Sequence, residues 1–215
     1  MMKKLILTTL IAINILGSKN LSFSQDAVAF DKGTLVVTAG YGFPDLYRSS
    51  LRTHYNGYAY TSTTVKGFGP LLFKGDYGIV KFKWGHSVGV GAVIGYNLTT
   101  VNYTNYYKNN GNNNIPYSVT DKYNTITIGA RGTYHFFTKE KFDCYASIGL
   151  GYNINSYSYS STVPGTFVNS SYGRSGLYTA ATVGIRYYFT KNFGVYSELG
   201  WDLNAPIQGG VCLKF

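Results

Sequence analysis

Over residues 34–43 two kinds of position alternate. Leu35, Val37, Ala39, Tyr41 and Phe43 fall on one face, and Thr34, Val36, Thr38, Gly40 and Gly42 on the other. A period of two is the signature of a β-strand whose faces meet different surroundings. Residues 206–215 repeat it: Phe215, Leu213, Val211, Gly209 and Ile207 share a face opposite Lys214, Cys212, Gly210 and Gln208. Six further segments alternate in the same way, at about 68–81, 87–96, 124–137, 142–153, 176–189 and 193–201. Their lengths cluster near the roughly 9 to 11 residues that a tilted strand needs to cross a bilayer.

The connections alternate between long and short. The stretches 44–66, 97–123 and 154–175 are long and rich in Tyr, Asn and Ser, and 202–205 is a brief fourth link on the same side. Between them lie short turns, Trp84-Gly85-His86, Thr138 to Lys141 and Thr190-Lys191-Asn192. This rhythm predicts an up-and-down antiparallel meander with both termini on the short-turn side. Lipid offers no partner to an edge amide, so such a meander with an apolar outer face must close on itself. The expected fold is therefore all-β, an eight-stranded antiparallel up-and-down transmembrane β-barrel over 33–215. Tyr134, Phe136, Phe137, Phe142, Tyr187, Tyr188, Phe189 and Phe193 gather where strands meet short turns, the place of an interfacial aromatic girdle.

The same alternation turns Lys74, Asp76, Arg131, Asp143, Arg186, Glu198 and Lys214 inward. An eight-stranded barrel is just wide enough for its own side chains to fill. Cations and carboxylates turned into so narrow a space predict a lumen filled by a polar ion-pair network.

At the other end of the chain, Lys3 and Lys4 precede an apolar run from Leu5 to Leu16, followed by small residues at Ser22 and Ser24. This reads as a signal peptide over 1–24, with a short N-terminal segment 25–32 before the barrel. The apolar run is too short for a spanning helix. Removing 1–24 takes away three lysines and lowers the formal charge from +10 to +7. The remaining basic residues are scattered, which argues against nucleic acid and for anionic lipid headgroups. Charged residues make up 13% of the chain beside 22 tyrosines and 26 glycines, a composition suited to close-packed strands and wet loops.

Candidate chemistry is sparse. Cys144 faces outward and Cys212 inward on strands that should not be neighbours, so two free thiols are expected. His54, His86 and His135 lie in separate segments, with no CxxC, no HExxH and no serine–acid partner set. The sequence therefore names no catalytic residue, no metal ligand and no cofactor. Gly89 to Gly91 and Gly149 to Gly151 sit inside strands with no following helix, which removes a phosphate cradle.

The signal peptide, the loop-and-turn rhythm, the glycine-rich strands and the terminal Lys214-Phe215 together resemble the small outer-membrane β-barrel proteins of Gram-negative bacteria, the class of the OmpA and OmpX barrels. The resemblance covers the whole mature chain. It implies an outer-membrane location, a monomer in contact with outer-membrane lipid, and Phe215 as the signal read by the barrel-assembly machinery. Specific activity would then sit in the outer loops, where Tyr47, Arg48, Arg52, His54, Tyr55, Tyr58 and Tyr60 stand in the first and Tyr103, Tyr106, Tyr107, Lys108 and Tyr117 in the second. Tyrosine among Asn and Ser suits the capture of an extracellular ligand. Two functional readings stay open: a non-enzymatic barrel with a structural or surface-interaction role, and a small channel for small or hydrophobic solutes. A soluble ligand-binding barrel would have these faces inside out.

Overall fold

Eight antiparallel strands pair in chain order, and the first closes the ring against the last (computed structural model). The structure describes residues 28–57, 61–108, 114–162 and 169–215. The expected signal peptide and the loop residues Tyr58 and Tyr60 lie outside the described residues. The strands are β1 (Leu35–Phe43), β2 (Thr61–Lys81), β3 (Ser87–Lys108), β4 (Asn114–Thr138), β5 (Phe142–Ser161), β6 (Asn169–Tyr188), β7 (Phe193–Trp201) and β8 (Ile207–Lys214), with one helix, α1 (Leu46–Asn56), between β1 and β2. Closure runs from Val36 opposite Lys214 to Phe43 opposite Ile207. Phe215 completes it by exchanging backbone hydrogen bonds with Leu35 at 2.8 and 2.9 Å.

The faces divide as the alternation requires. Val90, Ile94, Ile128, Ile148, Leu150, Val183, Leu199 and Val211 stand exposed on the outer wall. Lys74, Asp76, Arg131, Asp143, Arg186 and Glu198 are buried within. Nowhere else can the charges be shielded from an apolar exterior. No helix among the described residues is long and apolar enough to cross a membrane, which leaves crossing by strands open.

Three expectations are corrected. The long connections are largely strand: β3 and β4 span 22 and 25 residues and stay in register from Ser87 opposite His135 to Lys108 opposite Asn114. Their outer halves lack an apolar stripe, but Tyr, Thr and Val favour extended backbone and the paired hairpin below carries the ladder outward. β1, β7 and β8 hold only 9, 9 and 8 residues, so the outer halves of β2 to β6 form a sheet standing above one side of the ring. Second, the connection after β1 contains α1. Its N-cap Asp45 accepts from the Arg48 amide at 3.0 Å, and Tyr47, Leu51 and Tyr55 recur at helical spacing, with Tyr55 buried. Third, Tyr188 does not belong to the aromatic girdle. It is fully buried with Ala29, Phe30, Val36 and Cys212, whereas Tyr134, Phe136, Phe137, Tyr187, Phe189 and Phe193 are exposed. Phe136 and Phe137 both face outward because β4 carries a bulge between His135 and Phe137.

Cys144 and Cys212 are both free, on β5 and β8.

Candidate functional site

The barrel interior is built on charge pairs between facing strands. Lys74 on β2 donates to Glu198 Oε2 on β7 at 2.5 Å, to Asp202 Oδ2 at 2.7 Å and to Gln208 Oε1 on β8 at 2.6 Å. Arg131 on β4 donates to Glu198 Oε1 at 3.0 Å, and its Nε lies 3.2 Å from Asp76 Oδ1. Arg186 on β6 bonds Asp76 and reaches Asp143 Oδ2 at 3.3 Å. Its guanidinium lies over the Tyr145 ring, 4.2 Å from the centroid. Three cations thus face four carboxylates. Each ion has lost its water, so attraction at short range and added hydrogen bonds must offset the desolvation. Tyr145 supplies one such bond, donating to Glu198 Oε1 at 2.7 Å, and the Thr182 hydroxyl donates to Oε2 at 3.3 Å.

Of the seven inward residues expected from the sequence, six meet in this chain of contacts. Lys214 lies below it. Its ammonium donates to the Val28 carbonyl at 3.3 Å and sits 4.9 Å from the Tyr188 ring centroid. Asp202, Gln208 and Tyr145 join the network without having been singled out. Gln208 and Tyr145 could have been found by strand parity. Asp202 could not, because it belongs to the turn between β7 and β8, where no period applies. That turn folds inward through Gly200, Leu203 and Asn204, all at positive φ.

Both ends of the lumen are covered. On the short-turn side Ala29 donates its amide to the Lys139 carbonyl at 2.7 Å, and the Phe30 ring stacks 3.6 Å from His135 with the planes 7° apart. His135 in turn contacts Asp143 Oδ1 at 2.8 Å and the Thr133 hydroxyl at 3.0 Å, so both ring nitrogens are engaged. On the long-loop side Leu203 and Ala205 are buried, and Leu203 packs with Leu72, Val93 and Tyr178. A Cβ added at Gly95 would meet Leu203 Cδ1 at 2.5 Å, so glycine there makes room for the turn. The other expected histidines sit apart: His86 contacts the Tyr134 hydroxyl at 2.5 Å in a short turn, and His54 lies on α1.

Above Leu203 the outer strands and Tyr47 of α1 border a half-open cavity of about 550 Å³. Its wall carries tyrosines and asparagines, with Tyr47 from α1 and Tyr123, Tyr157 and Tyr172 from the sheet. Behind them Tyr55 donates to Asp121 Oδ2 at 2.5 Å and Tyr157 donates to Oδ1 at 2.7 Å, which satisfies this buried carboxylate. Arg48 anchors α1 by donating to the Gly69 carbonyl at 2.8 Å. Burial, with smaller contributions from Tyr123 and Asp45, pushes the Tyr47 hydroxyl up to about 12, so it stays a neutral phenol. Of the first expected loop set Tyr47 thus lines the outer site, and Tyr55 supports it from behind through Asp121. Tyr103, Tyr106, Tyr107, Lys108 and Tyr117 lie on strands β3 and β4.

In fold the chain resembles the small outer-membrane β-barrel proteins of Gram-negative bacteria. Ail, the attachment invasion locus protein of Yersinia pestis, is 14% identical, with a TM-score of 0.38 over 86% of this chain and 99% of that one. The N-terminal β-barrel domain of Pseudomonas aeruginosa OprF is 16% identical, with a TM-score of 0.40 over 86% of this chain and 100% of that domain. Neisserial surface protein A is 14% identical, with a TM-score of 0.30 over 88% of this chain and 100% of its own. No protein-family model matches the sequence, and no curated protein matches it.

Proposed function

We propose that this chain is a non-enzymatic, integral outer-membrane barrel whose lumen is sealed and whose role is envelope structure and surface interaction through its outer end. The observation that carries the reading is the inversion of the usual soluble pattern. Glu198, Lys74, Arg131, Asp76 and Arg186 are at most 6% exposed, while Phe73, Ile94, Ile148, Leu150 and Leu177 are each more than half exposed. In water the second group would be an aggregation surface; in lipid it is the solvated face. The exposed Tyr134, Phe136, Phe137, Tyr187, Phe189 and Phe193 would mark the inner interface, and the half-exposed ring of Phe215 would be what the assembly machinery reads. A ring that closes within one chain leaves no open edge strand for a partner to complete, which supports a monomer.

The test is single-channel recording of the detergent-refolded mature protein in a planar bilayer, with heat-shifted gel mobility confirming that the barrel has formed. A folded barrel without discrete conductance steps is the expected result. Steps that change on neutralising Arg131 or Glu198 would replace the sealed lumen by a channel. Recovery of the protein from an aqueous fraction without detergent would overturn the membrane placement altogether.

A further inference from the structure

We propose that the outer cavity is a binding site for a neutral oligosaccharide. The proposal rests on the surface-interaction reading and gives that surface a ligand class. The cavity's volume of about 550 Å³ falls in the roughly 300 to 1,000 Å³ range of small-molecule sites. What selects the ligand is the chemistry of the wall. Six aromatic residues and five asparagines line it, with Ser and Thr between them, and none of the lining residues is charged. A charged ligand would enter without a counter-charge, and an aliphatic chain would strand the amides and hydroxyls away from water. A sugar ring offers both things this wall can use: an apolar C–H face to lie on a tyrosine, and hydroxyls that donate to and accept from carboxamides.

A second observation points into the same space. Asn97 is only 6% exposed, and its amide donates to Asp45 Oδ2 at 3.1 Å, yet its Oδ1 has no hydrogen-bond partner within the protein. Asn97 lines the cavity, on the inward face that it shares with Thr125. Buried acceptors are nearly always satisfied, and one left open at this wall calls for donors from outside the chain. Ligand hydroxyls supply such donors. Tyr172 is 64% exposed and leans against Tyr157 with centroids 4.9 Å apart and planes tilted by 44°, a ready platform at the cavity's rim.

The experiment is calorimetric titration of the full refolded mature barrel in a zwitterionic detergent, because glucoside and maltoside detergents carry sugar headgroups and would compete. The probes are maltohexaose, cellohexaose, mannohexaose and N-acetylchitohexaose, with a heparin hexasaccharide as the charged control. Neutral O-antigen oligosaccharide released from Gram-negative lipopolysaccharide is a parallel arm. Saturable binding of a neutral hexasaccharide is expected, weakened about tenfold or more, about 1.4 kcal/mol, in Tyr172→Ala and in Asn97→Leu. Saturation by the neutral O-antigen oligosaccharide alone would assign the site to sugars of the cell's own envelope, and saturation by a free hexasaccharide to sugars from outside it. Silence with every neutral probe, binding confined to heparin, or undiminished binding in both variants would overturn the proposal. Heat-shifted mobility, read on each sample, separates these outcomes from a barrel that never formed, and Tyr172 is exposed enough to be replaced without disturbing the fold.

Discussion

Glu198 receives four donors inside the barrel, from Lys74, Arg131, Tyr145 and Thr182. Glu198→Gln keeps the shape of the side chain and removes its charge, leaving the two cations with one counter-ion fewer. We expect a loss of about 3 to 5 kcal/mol, the range for breaking a buried ion pair, read as a lower urea midpoint for the heat-shifted form. Gly184 is the other point of leverage. A Cβ there would run into the Tyr145 ring, so Gly184→Ala must displace the hydroxyl that serves Glu198. Overpacking of this kind costs about 1 to 3 kcal/mol, and the same urea series would register it. If Gly184→Ala were neutral, Tyr145 would not be held by packing. Parity alone makes Glu198 inward-facing, but its partners lie on β2, β4, β5 and β6. That distribution depends on strand register and on the width of the ring, which a single strand's pattern does not contain.

Two short elements sit at the barrel's ends, and neither has the period of a strand. In the N-terminal segment Phe30 is 1% exposed and stacked on His135. Phe30→Ala should release the segment, so the Ala29 amide, which donates to Lys139, should exchange with deuterium much faster. Unchanged exchange at Ala29 would show that backbone contacts hold the segment. At the opposite end Asp45 caps α1 and accepts from Asn97. Replacement of such a cap by Ala costs about 0.5 to 2 kcal/mol, so Asp45→Ala should raise proteolysis within residues 46–56 while the heat shift of the barrel persists. The helix was legible after the fact in Asp45 and in the spacing of Tyr47, Leu51 and Tyr55. Its surroundings read as loop because Gly, Tyr, Ser and Thr crowd the stretch.

The molecule as a whole divides into a sealed ring and an outer sheet with different consequences. The ring should be electrically silent in a bilayer, and Cys212, fully buried inside it, should resist a water-soluble maleimide until the barrel is unfolded. Labelling of Cys212 in the heat-shifted form would mean that water reaches the lumen. The outer halves of β3 to β6 are polar on both faces over much of their length. The ladder that continues them carries Val101, Val119 and Asp121 to buried positions that alternation in a loop-like composition does not announce.

By itself the sequence determined the number of strands, their order, the inward charges and the outward apolar wall, because a period of two is written locally and lipid permits only one way to satisfy the edges. Only the tertiary structure decided which charge meets which, that Asp202 turns inward with its loop, that Phe30 and Leu203 cover the ends, and that Asn97 shares a wall with Tyr172. Those facts arise from the register between strands and from the diameter of the closed ring. Both are properties of all eight strands at once.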